Sequence, residues 1–394
     1  MAETAGLYDK RLTIKEIHCT KMRRIICILT ALILVEGIRA EGTRVEGEQI
    51  WMETENGSAG MTEGTAKSKE DRRMAVVELS TIYMRIKPDY ESALETQELM
   101  GTVVEIVGED GYWREIVSPQ PYRAWATEKG LVEMSKEELK AYEAAPKVIY
   151  TGLYGHIYKE ASNRSATICD LVGGDIMRYV GKKGKWTEVM LPSGRKGYVP
   201  AKELEQHTGF ISIAQGEGSA ESISSETTEA IIAEAQKLLG VPYLWGGMSA
   251  KGVDCSGLVR ISHIMNGILL PRNASQQVKC GDRVEVPRQA RNDREGATND
   301  REGATNDREG ATNDREAGLR QEMLKRIENL ERGDLVFFGT PATDEKPMRI
   351  THVGIYLGDG KIIHSSHMVR INSLIPGEED YYENAWKMVA AVRL

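Results

Sequence analysis

The chain has 394 residues, enough for two or three domains, and its net charge of −8 and pI near 5.6 argue against a polyanion-binding surface. No basic and aromatic stripe runs along it, so nucleic acid is not expected as a partner. A cleaved leader would reduce five cysteines to three, Cys169, Cys255 and Cys280; an odd count in an exported chain fits one free reactive thiol, and Cys169 and Cys280 are expected to stay unpaired.

Lys21-Met22-Arg23-Arg24 precedes an apolar run from Ile25 to Val35 and then Gly37-Ile38-Arg39-Ala40. Basic, apolar and small stretches in that order read as a secretory signal, too short to span a bilayer as a helix. Residues 1–40 are taken as this region, with cleavage after Ala40 and Met22 as a candidate true start. Cys27 lies at the wrong end of the run for a lipid acceptor, so no membrane attachment beyond the signal is expected. The chain is expected to be exported, to a periplasm or outside the cell. Residues 41–72, rich in Gly, Glu, Thr and Ser, read as a flexible tail.

From residue 73 to 205 the chain repeats itself without gaps at an offset of 73. The stretch Val107 to Ile116 matches Val180 to Val189, and the register continues through Trp125 with Tyr198 and Leu131 with Leu204. Each unit reads as short strands joined by glycine turns, which predicts two small β-barrels over 73–135 and 145–207. A linker over 208–226 leads to an amphipathic helix marked by Ile231, Ile232, Ala235, Leu238 and Leu239.

Residues Leu258, Val259, Ile261, Ile264 and Met265 predict a helix that starts at or just before Cys255 and stops at Asn266-Gly267. A thiol in the first turn is expected to have its pKa lowered by the unpaired N–H groups and the helix dipole, with the Cys255 N–H as an oxyanion donor. Gly246, Gly247 and Gly257 suit close backbone approach around it. Further on, the segment from Thr351 to Leu357 alternates as a strand, Gly358-Asp359-Gly360 reads as a three-residue loop, and a second strand carries His364. Pairing Leu357 with Lys361 sets His352 opposite Ser366 and places His352 and His364 on one face as diagonal neighbours. His364 can then orient the His352 ring while His352 serves Cys255.

Each of these residues also has a plainer reading, the cysteine as a small buried hydrophobe and the histidines as satisfied core or surface groups. His352, His364 and His367 with Cys255 also form a conceivable zinc set. The combination with Tyr243-Leu244-Trp245-Gly246-Gly247 favours a cysteine nucleophile, with no metal and no cofactor.

Between Ser275-Gln276-Gln277 and Gly333-Asp334 the unit Asn-Asp-Arg-Glu-Gly-Ala-Thr recurs from Asn292. Its only apolar residue is an alanine beside a glycine, so it builds no seam and no core. Pro287 to Gly318 therefore reads as a flexible low-complexity insertion.

The C-terminal part, 227–394, resembles the NlpC/P60 family of cell-wall cysteine peptidases. The resemblance rests on Pro242 to Gly247, Asp254 to Val259, Leu270-Pro271-Arg272 with Ser275-Gln276-Gln277, Gly333 to Phe338, and His352 with His364. It implies an α+β, papain-like catalytic domain with Cys255 as nucleophile, His352 as base, His364 as the orienting third residue and Tyr243 lining the site.

The Gly-x-Trp-x-Glu strands make the upstream units similar to bacterial SH3 domains. Two SH3-like barrels before such a domain resemble the γ-D-glutamyl-L-diamino acid endopeptidases that recycle murein peptides. That likeness implies a substrate class, peptidoglycan stem peptides with a free N-terminal L-Ala, gripped by Glu91 and Tyr122 of the first barrel and by Asp254, Ser256 and Ser275. The alternatives are an autolysin that cuts intact wall with its barrels bound to glycan, and an inactive wall-binding protein.

Overall fold

Short apolar and polar alternations become strands because one face of each can be buried while the glycines between them supply the turns. The computed structural model describes residues 72–119, 122–213, 223–287 and 308–394, with backbone alone for 308–315. The signal region and residues 41–71 of the tail lie outside the described residues, as do 214–222 of the linker and 288–307 of the insertion. All described residues fall in one compact unit spanning 66–394.

The first sheet contains β1 (Arg73–Val77), β2 (Thr81–Arg85), β3 (Leu94–Leu99), β4 (Val103–Asp110), β5 (Trp113–Val117), β6 (Arg123–Thr127) and β7 (Leu131–Met134), in the order β3-β2-β6-β5-β4-β1-β7. Helix α1 (Lys136–Ala144) follows, started by a capping box between Ser135 and Glu138. The second sheet contains β8 (Lys147–Tyr150), β9 (Tyr154–Tyr158), β10 (Thr167–Val172), β11 (Ile176–Lys183), β12 (Trp186–Met190), β13 (Lys196–Pro200) and β14 (Leu204–His207), in the order β10-β9-β13-β12-β11-β8-β14. Taken seven by seven the two orders are identical, so the sequence repeat is a repeat of topology. Even the irregularities recur: a bulge falls at Val107 in one unit and at Val180 in the other. Gly111 and Gly184 turn the equivalent hairpins at φ of +56° and +62°.

Each unit fills its own core, the first with Ile82, Met84, Val104 and Ile116, the second with Leu171, Met177, Val189 and Val199. The buried carboxylate of Glu78 joins them, accepting from the Ser193 N–H at 2.9 Å, the Ser193 hydroxyl at 2.6 Å and Arg195 Nη2 at 2.8 Å.

The C-terminal part begins with β15 (Ile211–Ser212) and α2 (Ser225–Lys237), whose Ile231, Ile232 and Ala235 are buried as the periodicity predicts. Then come β16 (Met248–Ser249), β17 (Gly252–Val253), α3 (Cys255–Ile264), β18 (Ile268–Leu269), α4 (Ala274–Gln277), β19 (Asp282–Val284) and α5 (Arg308–Ile327). The remaining strands are β20 (Leu335–Thr340), β21 (Arg349–Gly358), β22 (Lys361–Ser366), β23 (Met368–Ser373) and β24 (Met388–Arg393). Six of these strands form an antiparallel sheet, β19-β24-β20-β21-β22-β23. One of its faces packs Phe337, Val353, Ile355 and Ile363 against Leu258, Val259 and Ile261 of α3. The opposite face packs Phe338, Tyr356 and Ile362 with Met323 and Ile327 of α5. This is the expected α+β layout, a helix on an antiparallel sheet.

Helix α5 departs from the loop reading of the insertion, because it begins at Arg308, inside the low-complexity segment. Its downstream half explains this. Met323 and Ile327 anchor the helix in a core, and Arg320 donates to the Pro376 carbonyl at 3.1 Å. Once those turns are fixed, adding residues upstream costs little.

Glu78→Leu is expected to lower the free energy of urea unfolding by only about 1 kcal/mol, since exposed Ser193 and half-exposed Arg195 can turn their freed donors to water. Equilibrium unfolding followed by fluorescence and circular dichroism checks this.

Candidate active site

Helix α3 starts where it does because Asp254 caps it: one carboxylate oxygen accepts from the Gly257 N–H at 2.7 Å. The other accepts from the Gly246 N–H at 2.9 Å, which fixes the turn before the helix. Arg272 closes on the same carboxylate with Nη1 at 3.0 Å and Nη2 at 2.6 Å, and also donates to the Ser256 hydroxyl and to Thr96 Oγ1 on β3. Cys255 is thus the first residue of a helix pinned on several sides. The glycines are sterically required, since a Cβ on Gly257 would stand 2.1 Å from the Gly247 carbonyl oxygen.

The base region rests on the β21–β22 hairpin. The sequence predicts a three-residue loop with Leu357 opposite Lys361; instead Gly358 pairs with Lys361 across a two-residue turn, and a bulge falls at Leu357. Asp359 and Gly360 both have positive φ, 50° and 72°, as a tight Asp-Gly hairpin turn requires. The bulge absorbs the missing residue, so Ile355 still faces Ile363 and the two histidines still share a face. His352 Nε2 lies 2.7 Å from His364 Nδ1, and His364 Nε2 lies 2.9 Å from Asn372 Oδ1. Tyr382 packs on both rings, with centroids 5.7 and 4.6 Å away.

The thiol sits beside this pair: the N–H of Val353, next in chain to His352, donates to the Cys255 sulfur. Its electrostatics reverse the sequence expectation. Burial, followed by the Asp254 charge, pushes the thiol up to about 11, against the lowering effect of the Val353 and Ser256 N–H groups. Burial pulls His352 down to about 3, with His364 adding to the effect, and pulls His364 down to about 4. The helix dipole loses because the sulfur has too little water around it to carry a charge. At neutral pH the resting pair is therefore thiol and neutral imidazole.

The other predicted site residues are placed unequally. Tyr243 is half-buried near the thiol, and its phenol is pushed up by burial and then by the neighbouring Cys255 and Asp254. Ser256 is buried and its hydroxyl is engaged by Asp254 and Arg272, whereas Ser275 is exposed on α4. Tyr122 lies against Asn273 and Arg272 and donates to a carboxylate, but that carboxylate is Glu95 on β3. Glu91 stands exposed in a turn, its N–H on the Asp89 side chain at 2.9 Å. The sequence reading missed Glu95, Arg272 as partner of Asp254, and Asn372. A signal for the first was present: Glu95-Thr96-Gln97-Glu98 is a polar run inside a strand, and the last three are buried. Among the described residues no group of three or more His, Cys, Asp or Glu is arranged to hold a metal ion.

A thiol at a helix start beside a paired-histidine hairpin defines the class, a cysteine peptidase. Residues 240–391 match the NlpC/P60 family model, so the chain carries an NlpC/P60 catalytic domain. Over 298 residues it is 26% identical to the γ-D-glutamyl-L-lysine dipeptidyl-peptidase of Bacillus cereus, covering 72% of this chain and 70% of that protein. The enzyme of the same name from Bacillus subtilis is 24% identical over 311 residues, covering 77% and 81%. The crystal structure of an NlpC/P60 family protein from Bacillus cereus superposes with a TM-score of 0.58 at 20% identity, covering 81% of this chain and 99% of that one. That superposition extends the shared fold well upstream of the catalytic domain.

With the thiol raised, alkylation of Cys255 by iodoacetamide should be slow at neutral pH and still be climbing well above pH ~8.5, where an ordinary thiol is already half ionised. Peptide mass spectrometry separates Cys255 from Cys169 and Cys280, which are also free thiols. A rate already at its plateau at pH ~6 would mean a resting thiolate–imidazolium pair instead.

Proposed function

We propose that this protein hydrolyses the γ-D-glutamyl-L-diamino acid bond of peptidoglycan stem peptides that carry a free N-terminal L-Ala. The observation that supports the reading is a juxtaposition: β3 of the first unit, which carries Glu95 and its partner Tyr122, packs against Gly246 and Arg272, the groups that hold the Asp254 cap beside Cys255. In this reading the two upstream units are SH3-like barrels and the chain is exported. Among the described residues no helix is long and apolar enough to cross a membrane.

The chemistry follows from neutral partners. Cys255 attacks the γ-carbonyl as its proton passes to His352, so charge develops only in the transition state. The N–H groups at the start of α3, the Cys255 N–H among them, receive the developing oxyanion. His352 then protonates the leaving amine of the diamino acid. The same ring activates the water that releases the acyl group. No cofactor enters these steps.

Glu95 replaces Glu91 as the residue that takes the substrate ammonium. Asp254 already accepts from the Gly246 and Gly257 N–H groups and from Arg272, so its capacity is largely spent. Glu95 is only partly buried and engages Tyr122 through one oxygen, leaving room for a charge-assisted bond. A stem peptide whose L-Ala nitrogen is amide-bonded to sugar has no ammonium to offer and meets this wall instead.

Mass spectrometry of the protein with L-Ala-γ-D-Glu-diaminopimelate, its lysine counterpart and the N-acetylated forms tests the reading, with Cys255→Ala as control. Only the free peptides should be cleaved. Cleavage of acetylated peptides would favour a wall-cutting autolysin, and cleavage of none a binding protein. Glu95→Gln should raise KM by about 10–100-fold, the size of one lost charged hydrogen bond, while Glu91→Gln should leave it within about twofold.

A further inference from the structure

The histidine pair is itself held by a second layer that nothing in the reaction requires by name. Asn372 lies on β23, and its Nδ2 donates to the Asp380 carbonyl at 2.6 Å. Its Oδ1 receives Arg370 Nε at 2.6 Å. Both contacts fix the same orientation of the amide, because a flip would set donor against donor at Arg370 and acceptor against acceptor at Asp380. With Oδ1 able only to accept, His364 Nε2 must carry the proton in that 2.9 Å bond. His364 Nδ1 is then the lone pair, so His352 Nε2 must donate across the 2.7 Å contact. The one nitrogen left as a base is His352 Nδ1.

We infer that Asn372, held by Arg370, is a positioning residue that sets the tautomers of both histidines so that His352 presents Nδ1 as its basic nitrogen. The inference rests on the catalytic reading above. Position supports it: Arg370 is the direct cross-strand partner of His364 and Asn372 that of Ile362, so β22 and β23 bring the relay together through sheet register alone. Asn372 is 3% exposed and His364 fully buried, so water does not compete for these bonds. The groups facing His364 are His352, Arg370 and the Tyr382 ring, and Tyr382 in turn lies near Cys255. A neutral amide supplies the acceptor without adding a negative charge. A carboxylate there would favour the imidazolium of His364, which burial and Arg370 otherwise oppose.

The test combines histidine 15N NMR on Cys255→Ala protein with the pH dependence of kcat and KM on the free stem peptide. Both histidines should appear as Nε2-protonated neutral tautomers. In Asn372→Leu the single-tautomer pattern should be lost and kcat should fall by about 10–100-fold with KM within about twofold. Asn372→Asp keeps an acceptor and adds charge, so it should retain more activity than the leucine variant while its acid limb moves to higher pH. An Nδ1-protonated tautomer at either histidine would overturn the inference, as would an Asn372→Leu enzyme with wild-type kcat. If the leucine variant does not fold, the NMR assignment and the aspartate variant decide. The expected tautomers in the Cys255→Ala protein, together with wild-type protein that cleaves no stem peptide, would sink the functional reading and leave the relay standing.

Discussion

The buried ion pair between Asp254 and Arg272 is the constraint on which the site depends. Arg272 is 2% exposed, and its guanidinium meets Asp254 twice, the Ser256 hydroxyl, the Gly247 carbonyl and Thr96 on the first β unit. Such a pair gains little over apolar packing while intact, yet losing either partner strands a desolvated charge and costs about 3–5 kcal/mol. Here its geometry has a second use. The helix cap, the preceding turn and, through Arg272, the first β unit all converge on one carboxylate, so Cys255 is placed by groups that cannot move independently.

That rigidity has an electrostatic consequence. The same packing that immobilises α3 removes water from the sulfur, and a desolvated thiol next to a carboxylate stays protonated. The histidines face the same condition, and both remain neutral. The site is therefore poised with its charges unseparated, and separation is deferred to the moment a substrate carbonyl and the helix N–H groups can share the negative charge. Thiol and imidazole titrate as a pair, so burial moves the first proton loss down and the second up, widening the pH range over which the neutral pair persists.

Much of this was legible in the sequence, and the failures are physically specific. Helical spacing after Cys255 located α3, and strand alternation located β21. The histidines were correctly put on one face although the loop was misjudged, because a bulge at Leu357 compensated for a turn one residue shorter; alternation reports faces but not where an extra residue is absorbed. Glu95 was missed because carboxylates inside strands ordinarily face water, and only the approach of the catalytic domain makes the β3 edge an interior. The direction of the thiol shift was misread because helix position is visible in sequence and desolvation is not. The start of α5 was missed because its anchoring residues, Met323 and Ile327, lie beyond the insertion. Asn372 went unnoticed because its role exists only through pairing across β22 and β23.

The duplicated β unit shows how one frame comes to serve two ends. Shifting by 73 residues takes Glu95, Thr96, Gln97 and Glu98 to Ile168, Cys169, Asp170 and Leu171, and takes Tyr122 to Arg195. In the first unit this edge strand turns toward the catalytic domain: Thr96 accepts from Arg272, Gln97 accepts from the Met248 N–H at 2.8 Å, and Glu98 lies 3.9 Å from Arg260 of α3. In the second unit Asp170 meets Lys251 at 2.6 Å and Ser80 at 2.9 Å, while Arg195 reaches back to Glu78. An edge strand offers unpaired groups that must be covered; the first copy covers its edge with the catalytic domain, the second with Lys251 of that domain and Ser80 of the first copy. The first copy thereby packs directly against the residues that hold Asp254 and the start of α3. The second braces the first through Glu78 and Ser80 and also meets the catalytic domain directly, at Lys251 and by packing Val172 and Ile176 into the core around α3, so its contribution to the site need not involve any contact with substrate.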